Sequence, residues 1–360
     1  MSRRAVTLGV AVSVGVLLVG TVVAYLLLEP LRDTEREDFD PSRGRGALPA
    51  EQPEWPDGPA HDDRPDVGPP ADDADDPDVP DDTDSGRGLA GAFESVLVLG
   101  SDAQGIDGGG VADAIMVGLL PADGSDPVLF SIPRDLWIPD PCHGGMTRIN
   151  AGLQGCDGRI SGPELMAIMV EDLTSLPIGH YVKVHFDGFT GVIDAIGGVE
   201  ICNDRPVRDW RAELELPAGC VEAGGDDTLA WVRSRRTEQQ VGGTWRAKPG
   251  VNDLTRNERQ QEVALQTLER LSSFRSVGQL RALTKGIADS VTISDSLSAT
   301  RAARIAWALR GLEREDVRVV RIPVEDHVTS GGAQVLVPVE SFERTFLRAV
   351  PDGEDLLARD

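Results

Sequence analysis

The sequence predicts an α/β fold in which a central sheet is covered by helices. Three observations predict it. Short apolar runs, partly β-branched, recur along residues 93–350. They alternate with segments whose apolar residues repeat at helical spacing. No charge-rich linker and no internal repeat divides this stretch, so it reads as one domain.

Two segments of a different kind come first. Residues 5–28 read AVTLGVAVSVGVLLVGTVVAYLLL, a run of 24 without a charge. At ~1.5 Å per residue it is about 36 Å long, enough to cross a bilayer core as a transmembrane helix. Arg3 and Arg4 before it put residues 1–4 in the cytoplasm and everything after residue 28 outside. The run exceeds a usual signal-peptide core and no small-x-small cleavage site follows it, so it is expected to stay as a single-pass anchor. Residues 29–92 hold 20 acidic and 6 basic residues with 11 of the 24 prolines, and carry more than half of the net charge of −25. Such a composition buries too little apolar surface to offset its ordering entropy, so a disordered, extended linker is expected. Residues 351–360 read as a C-terminal tail.

Within the domain, SVLVLG (95–100), AIMVGLL (114–120) and PVLFSIP (127–133) read as buried strands. HYVKVHF (180–186) alternates and reads as a half-exposed one. SGPELMAIMVEDLT (161–174) opens with Ser161 and Glu164 at capping-box spacing, with Pro163 in the first turn. GFTGVIDAIGG (188–198) is a short helix ended by glycine. Residues 255–271 form another helix, with Val263, Ala264, Leu268 and Leu271 inward. DSVTIS, TRAARIAWALRGL, VRVVRIPV and ESFERTFLRAV continue the alternation.

Four cysteines, Cys142, Cys156, Cys202 and Cys220, all lie beyond the anchor, where disulfides persist. Four allow three connectivities; local pairing, Cys142–Cys156 and Cys202–Cys220, is expected. No CxxC spacing supports a metal site.

The chemistry is sought among polar residues at strand and helix ends. Asp102 follows one core strand and Asp113 precedes the next. Each alone can shape or cap a turn. Together they suggest a hard-cation site, since Mg²⁺ takes one or two carboxylates and completes its shell with phosphate and water. Arg134 and Asp135 follow a third strand, where a neighbouring salt bridge is the plainer alternative. Basic residues then concentrate in an acidic chain: Arg233, Arg235, Arg236, Arg246, Lys248, Arg256 and Arg259. Arginine is the default cation here, with lysine only at positions 183, 248 and 285, so spacing must carry the argument. Arg233 and Arg235 flank Ser234 and can point to one place only at a helix end. Asp253 reads as an N-cap or first-turn residue. Arg256, Gln260 and Val263 follow on one helical face, with Arg259 expected to the side, facing solvent. A capped amphipathic helix with charged flanks would explain the same residues.

Arginine forks match phosphate oxygens, and several of them with a divalent cation suit a pyrophosphate. Nucleic acid is excluded: the domain is acidic and lacks aromatic–basic interleaving.

GSD (100–102), ADAIM (112–116), SIPRD (131–135), RINAG (148–152), HYVKVHFDGF (180–189), DAIGGVEIC (194–202), LPAGC (216–220), LAWVRSR (229–235) and DLTRNERQQ (253–261) occur in that order. In this the chain resembles the LytR-CpsA-Psr family in its actinobacterial form. The resemblance is close from residue 93 to 271 and looser to about residue 350. It implies an α/β/α sandwich with a hydrophobic pocket for a lipid tail. It implies a membrane-anchored phosphotransferase that moves a cell-wall glycopolymer from a polyprenyl-pyrophosphate carrier to a peptidoglycan hydroxyl. Asp102 and Asp113 match the magnesium-binding aspartates, with Mn²⁺ a possible substitute. Arg134, Arg233, Arg235 and Arg256 match the pyrophosphate-binding arginines. Gln260 matches a glutamine of that pocket and Asp253 the aspartate that begins its motif. Asp113, Arg134 and Asp253 are thereby the expected catalytic residues.

The chain departs from the family pattern twice. Where the family usually has an arginine two residues before the aspartate, this chain reads Val111-Ala112-Asp113. The gap between Arg235 and Asp253 is also longer than usual and reads as a loop carrying Trp245, Arg246 and Lys248; Arg246 could replace the lost charge. Two other functions stay open: a catalytically weak polyprenyl-pyrophosphate-binding protein, which Val111 favours, and a pyrophosphohydrolase with water as acceptor.

Overall fold

The computed structural model describes residues 35–49, 93–101, 110–122, 124–272, 291–298, 301, 302, 304, 305, 309 and 313–350. Residues 1–34, with the expected tail and anchor, lie outside them, as do residues 50–92, Asp102 and residues 351–360. Among the described residues no helix is long and apolar enough to cross a membrane. The fold is mixed α/β, as expected, and falls into two compact units, Met1–Asp38, Gly100–Asp102 and Val182–Glu315 on one hand, Phe39–Leu99, Ala103–Tyr181 and Asp316–Asp360 on the other. Each holds both parallel and antiparallel strand pairs. Strands and helices are numbered in chain order.

In the unit that begins at Phe39, strands run β2 (Phe93–Ser101), β3 (Ala114–Pro121), β4 (Val128–Ser131), β15 (Arg318–Arg321). The β3–β4 pair is antiparallel, with Gly118 opposite Leu129, and β4–β15 is parallel. Residues of β2 and β3 alternate between buried and half-buried, as a period-2 strand must when one face meets helices. Leu97, Leu99, Ile115, Val117, Leu119 and Phe130 form the buried face. Met166 and Met169 of α2 (Gly162–Thr174) and Phe346 of α6 (Phe342–Ala349) pack in the same core. Each such side chain contributes roughly 1.5–3 kcal/mol of burial. The Ser161–Glu164 capping box that starts α2 is formed on both sides. Two hairpins, β5 (Trp137–Pro139) with β6 (Met146–Arg148) and β16 (Val324–Val328) with β17 (Gln334–Pro338), complete the unit, joined by a bridge from Leu136 to Leu336.

The linker expectation for residues 29–92 is corrected at its start. Residues 35–37 form β1 (Glu35–Glu37) and residues 41–46 form α1 (Pro41–Gly46). Phe39 is 7% exposed, and its ring lies 5.0 Å from that of Tyr181. Glu164 accepts from the Asp40 amide and from Arg43, both at 3.1 Å, while Arg45 pairs with Glu171 and Asp172. One buried aromatic and three ion pairs hold this piece, whatever the average composition of the segment.

In the other unit, β14 (Val291–Ser294) lies parallel to β1 and antiparallel to β7 (His180–His185), through residues 182–184. Helix α3 (Phe186–Ala195) leads to β8 (Val199–Asn203), which pairs with β11 (Gly219–Ala223) so that Cys202 stands opposite Cys220. Both disulfides are the expected local ones, Cys142–Cys156 and Cys202–Cys220. Strands β10 (Leu214–Leu216), β9 (Val207–Asp209), β12 (Glu238–Val241) and β13 (Thr244–Ala247) form an antiparallel sheet in that order. The stretch expected as a loop after Arg235 is therefore largely the β12–β13 hairpin. Gly242 and Gly243, at φ 57° and 79°, supply the two positive-φ positions that a tight hairpin turn needs. Helices α4 (Gly225–Arg233) and α5 (Asp253–Ser272) pack with α3 on a second core around Ile193, Val199, Val207, Val232 and Val263.

Candidate active site

Asp113 and Arg134 come together in the first unit described. They join through Oδ1 and Nη1, with 27% and 11% of their side chains exposed. Arg134 Nε also faces Asp135 at 3.4 Å, and Asp135 in turn faces Arg148 at 3.4 Å. The backbone explains the meeting. The Asn150 carbonyl accepts from the Ala112 amide at 3.1 Å, and the Asn150 amide donates to the Arg134 carbonyl at 3.2 Å. One buried turn of the RINAG motif thus fastens the neighbours of both side chains. Asp102, the other expected carboxylate, lies outside the described residues.

The remaining arginines belong to the other unit. Helix α4 ends at Arg233, and Ser234 takes extended backbone at φ −66° and ψ 124°. Residues two apart in extended chain share a face. Arg233 and Arg235 are accordingly both exposed, while Ser234 between them is fully buried. The Arg233 guanidinium lies 4.6 Å from the centre of the Phe186 ring, at the start of α3. On α5, Arg256 is 3% exposed. Gln260 Nε2 reaches the Val232 carbonyl at 3.5 Å, which places this predicted residue against the end of α4. Asn252, rather than Asp253, caps α5: its Oδ1 accepts from the Thr255 amide at 3.0 Å. Asp253 is the first helical residue, and its side chain lies outside the described ones. Arg246 is exposed on β13.

A family model described as the LytR_cpsA_psr family matches residues 79–346. The chain belongs to this family. Over 236 residues it is 33% identical to the probable cell wall biosynthesis protein LcpB of Corynebacterium glutamicum, covering 64% of this chain and 50% of that protein. Over 209 residues it is 29% identical to the polyisoprenyl-teichoic acid–peptidoglycan teichoic acid transferase TagU of Bacillus mycoides, covering 55% and 60%. The chain thus spans about half the length of the curated relatives it matches. Among solved structures, a LytR-Csp2A-Psr enzyme from Actinomyces oris superposes with a TM-score of 0.59 at 23% identity, over 72% of this chain and 90% of that one. TagV of B. subtilis gives 0.58 at 20% identity, over 74% and 98%. At these identities the likeness is one of fold.

Within this LytR-CpsA-Psr chain, one expectation is overturned. Arg259 does not face solvent. It is 6% exposed, and its guanidinium lies 3.8 Å from the centre of the Trp231 ring. Its Nη1 donates to the Trp231 and Ser234 carbonyls and its Nη2 to Thr237 Oγ1, each at 3.2 Å. The reason is geometric. Position i+3 from Arg256 shares the stripe of Arg256, Gln260 and Val263, so Arg259 belonged on the inner face all along. Burial lowers its pKa to about 10, partly offset by Asp209, so it stays protonated at neutral pH. Asp209 was missed entirely. It accepts from Ser234 Oγ at 2.8 Å and from the Arg236 and Arg211 amides at 2.9 and 3.1 Å. Burial alone would raise its pKa, but these hydrogen bonds hold it below the usual carboxylate value.

Proposed function

We propose that this chain is a membrane-anchored phosphotransferase acting on a polyprenyl-pyrophosphate-linked glycopolymer, with a peptidoglycan hydroxyl as acceptor. The observation that carries the reading is the turn at the end of α4, which exposes Arg233 and Arg235 on either side of a buried serine. Two guanidinium forks held two residues apart are suited to the oxygens of a pyrophosphate. By their place in the family motifs, Arg134 and Arg256 are proposed as further arginines for the phosphates, and Gln260 as a further contact. The names of its relatives support the class, since TagU is called a teichoic acid transferase. A lipid carrier is supported by the second face of β2 and β3, where Val96, Val98, Met116 and Leu120 are only half-buried. An added Cβ at Gly118 on that face would meet no atom within 4 Å. A polyprenyl tail would cover such a surface.

In the transfer, the acceptor oxygen forms a bond to the phosphorus that bears the glycopolymer. The P–O–P bridge breaks and polyprenyl monophosphate leaves. The acceptor proton passes to a carboxylate base, for which Asp253 is the candidate by sequence position. Arg233 and Arg235 gain strength as charge moves onto the leaving phosphate. The half-exposed carboxylate of Asp113 suits a hard cation entering from solvent. Mg²⁺ held by Asp113, with Asp102 as the second ligand by family pattern, would neutralise phosphate charge; Mn²⁺ would serve similarly. Anchoring by residues 5–28 and an extracellular domain complete the proposal, and two disulfides accord with that compartment.

The test is incubation of the protein with a short-chain prenyl-pyrophosphate oligosaccharide, peptidoglycan and Mg²⁺, followed by mass spectrometry of the glycan. A phosphodiester-linked oligosaccharide on the glycan is expected. Prenyl monophosphate with free oligosaccharide phosphate and no glycan adduct would show a pyrophosphohydrolase instead. Val111, at the position where the family usually has arginine, favours a second reading, a binding protein that retains the lipid carrier; ligand binding with no turnover would support it.

A further inference from the structure

Helix α4 ends with carbonyls that have no partner within the helix, as every helix does. Here α5 supplies the donors. Arg259 gives Nη1 to the Trp231 and Ser234 carbonyls, and its charge lies at the negative end of the α4 dipole. The same guanidinium stacks on Trp231 and donates Nη2 to Thr237 Oγ1. Thr237 Oγ1 lies 2.7 Å from Ser234 Oγ, and Ser234 Oγ donates to Asp209 at the end of β9. Ser234, Thr237, Asp209 and Arg259 are 0%, 1%, 2% and 6% exposed. A closed polar knot therefore joins α4, β9 and α5. Between Arg233 and Thr237 it leaves outside the side chains of Arg233, Arg235 and Arg236, all exposed, while the Arg236 amide is held by Asp209.

We infer that Arg259 is a positioning residue for the phosphate-binding arginines. It fixes the Ser234 carbonyl, and so the peptide that carries Arg235, while its Nη1 and Nη2 donors are committed to two carbonyls and a hydroxyl of the protein. A lysine would keep the charge but could not serve two carbonyls, a hydroxyl and a ring face at once. The inference rests on the proposal that Arg233 and Arg235 take the phosphates.

The experiment titrates the protein with geranyl pyrophosphate by calorimetry and measures Tm alongside. The proteins are wild type, Arg259→Lys, Arg235→Ala and the double variant. Arg259→Lys should weaken binding by about tenfold in the wild-type background, and by less than about twofold once Arg235 is absent, because groups acting through one contact are not additive. Thr237→Val, which removes the Nη2 acceptor and keeps the side-chain shape, repeats the comparison if Arg259→Lys does not fold. Equal weakening in both backgrounds overturns the inference. So does a lowered Tm with unchanged affinity of the folded protein, the mark of a merely structural arginine. Wild-type protein that does not bind geranyl pyrophosphate overturns the proposed function, and the inference with it.

Discussion

Under the proposed function Arg134 and Arg233 both take phosphate, yet they are held in opposite ways. Arg134 is clasped by the carboxylates of Asp113 and Asp135. Arg233 rests on the ring of Phe186, and buried Arg259 rests on Trp231 and on carbonyl oxygens. A carboxylate cancels the charge of its arginine and competes with an incoming anion. A ring orients the guanidinium without neutralising it, because its quadrupole attracts the cation but carries no net charge. Ring-held Arg233 is therefore ready for an anion, whereas Arg134 must first exchange its partner. A divalent cation that drew Asp113 away would release Arg134 at the moment phosphate binds.

The largest expected effect tests that exchange. Asp113→Asn should lower Mg²⁺-dependent transfer by about 100-fold or more, as loss of a charge-stabilising group at phosphoryl transfer does. In EDTA the same variant should bind geranyl pyrophosphate at least as tightly as wild type, since the anion competing for Arg134 is gone. Calorimetry in EDTA and product mass spectrometry with Mg²⁺ read the two signs separately. Weaker binding in EDTA would mean that Asp113 orients Arg134 rather than opposing the ligand, and the contrast between the two arginines would collapse.

Next comes the fork itself. Arg256→Lys keeps the charge of a side chain that is 3% exposed, and should weaken pyrophosphate binding by roughly 10- to 100-fold if bidentate geometry matters. Unchanged affinity would reduce Arg256 to a point charge. Arg259→Ala, which would be harmless for a solvent-facing arginine, should be costly in stability, because it leaves two carbonyls and a hydroxyl without their donor.

These revisions show where sequence reasoning reaches. Strand cores, the Ser161–Glu164 box, both disulfides and the splayed Arg233–Ser234–Arg235 turn are consequences of local spacing, and local spacing is visible in a sequence. The inward face of Arg259 was readable, since i+3 from Arg256 lies on the same stripe, but its partners Trp231 and Thr237 were not, because they come from outside its own helix. Residues 35–49 were hidden by averaging: the acidic, proline-rich composition around them outweighs one Phe39 that finds Tyr181 across the chain. The β12–β13 hairpin did carry a signal, the Gly242-Gly243 pair between short polar strands, but β12 is half-buried, β13 is mostly exposed, and neither has the apolar alternation that marks a core strand.

A moderate effect is expected at Val111, which is half-buried in the unit of Arg134. Val111→Arg should tighten geranyl pyrophosphate binding by about three- to tenfold, as one added charge-assisted contact would. If turnover rises as well, the natural valine tempers an enzyme. If affinity rises while turnover stays undetectable, the binding-protein reading gains.

The smallest effect isolates the ring. Phe186→Leu keeps an apolar side chain at the start of α3 but removes the π face beneath Arg233. A cation–π contact at an exposed guanidinium is worth about 0.5–1 kcal/mol, so binding should weaken by roughly two- to fivefold. Because the ring acts only through Arg233, the same substitution in an Arg233→Ala background should change affinity by less than about twofold. An equal loss in both backgrounds would show that Phe186 supports the α3–α4 packing as a whole. The arginine would then owe its orientation to the helix end, and ring against carboxylate would not be the distinction that separates Arg233 from Arg134.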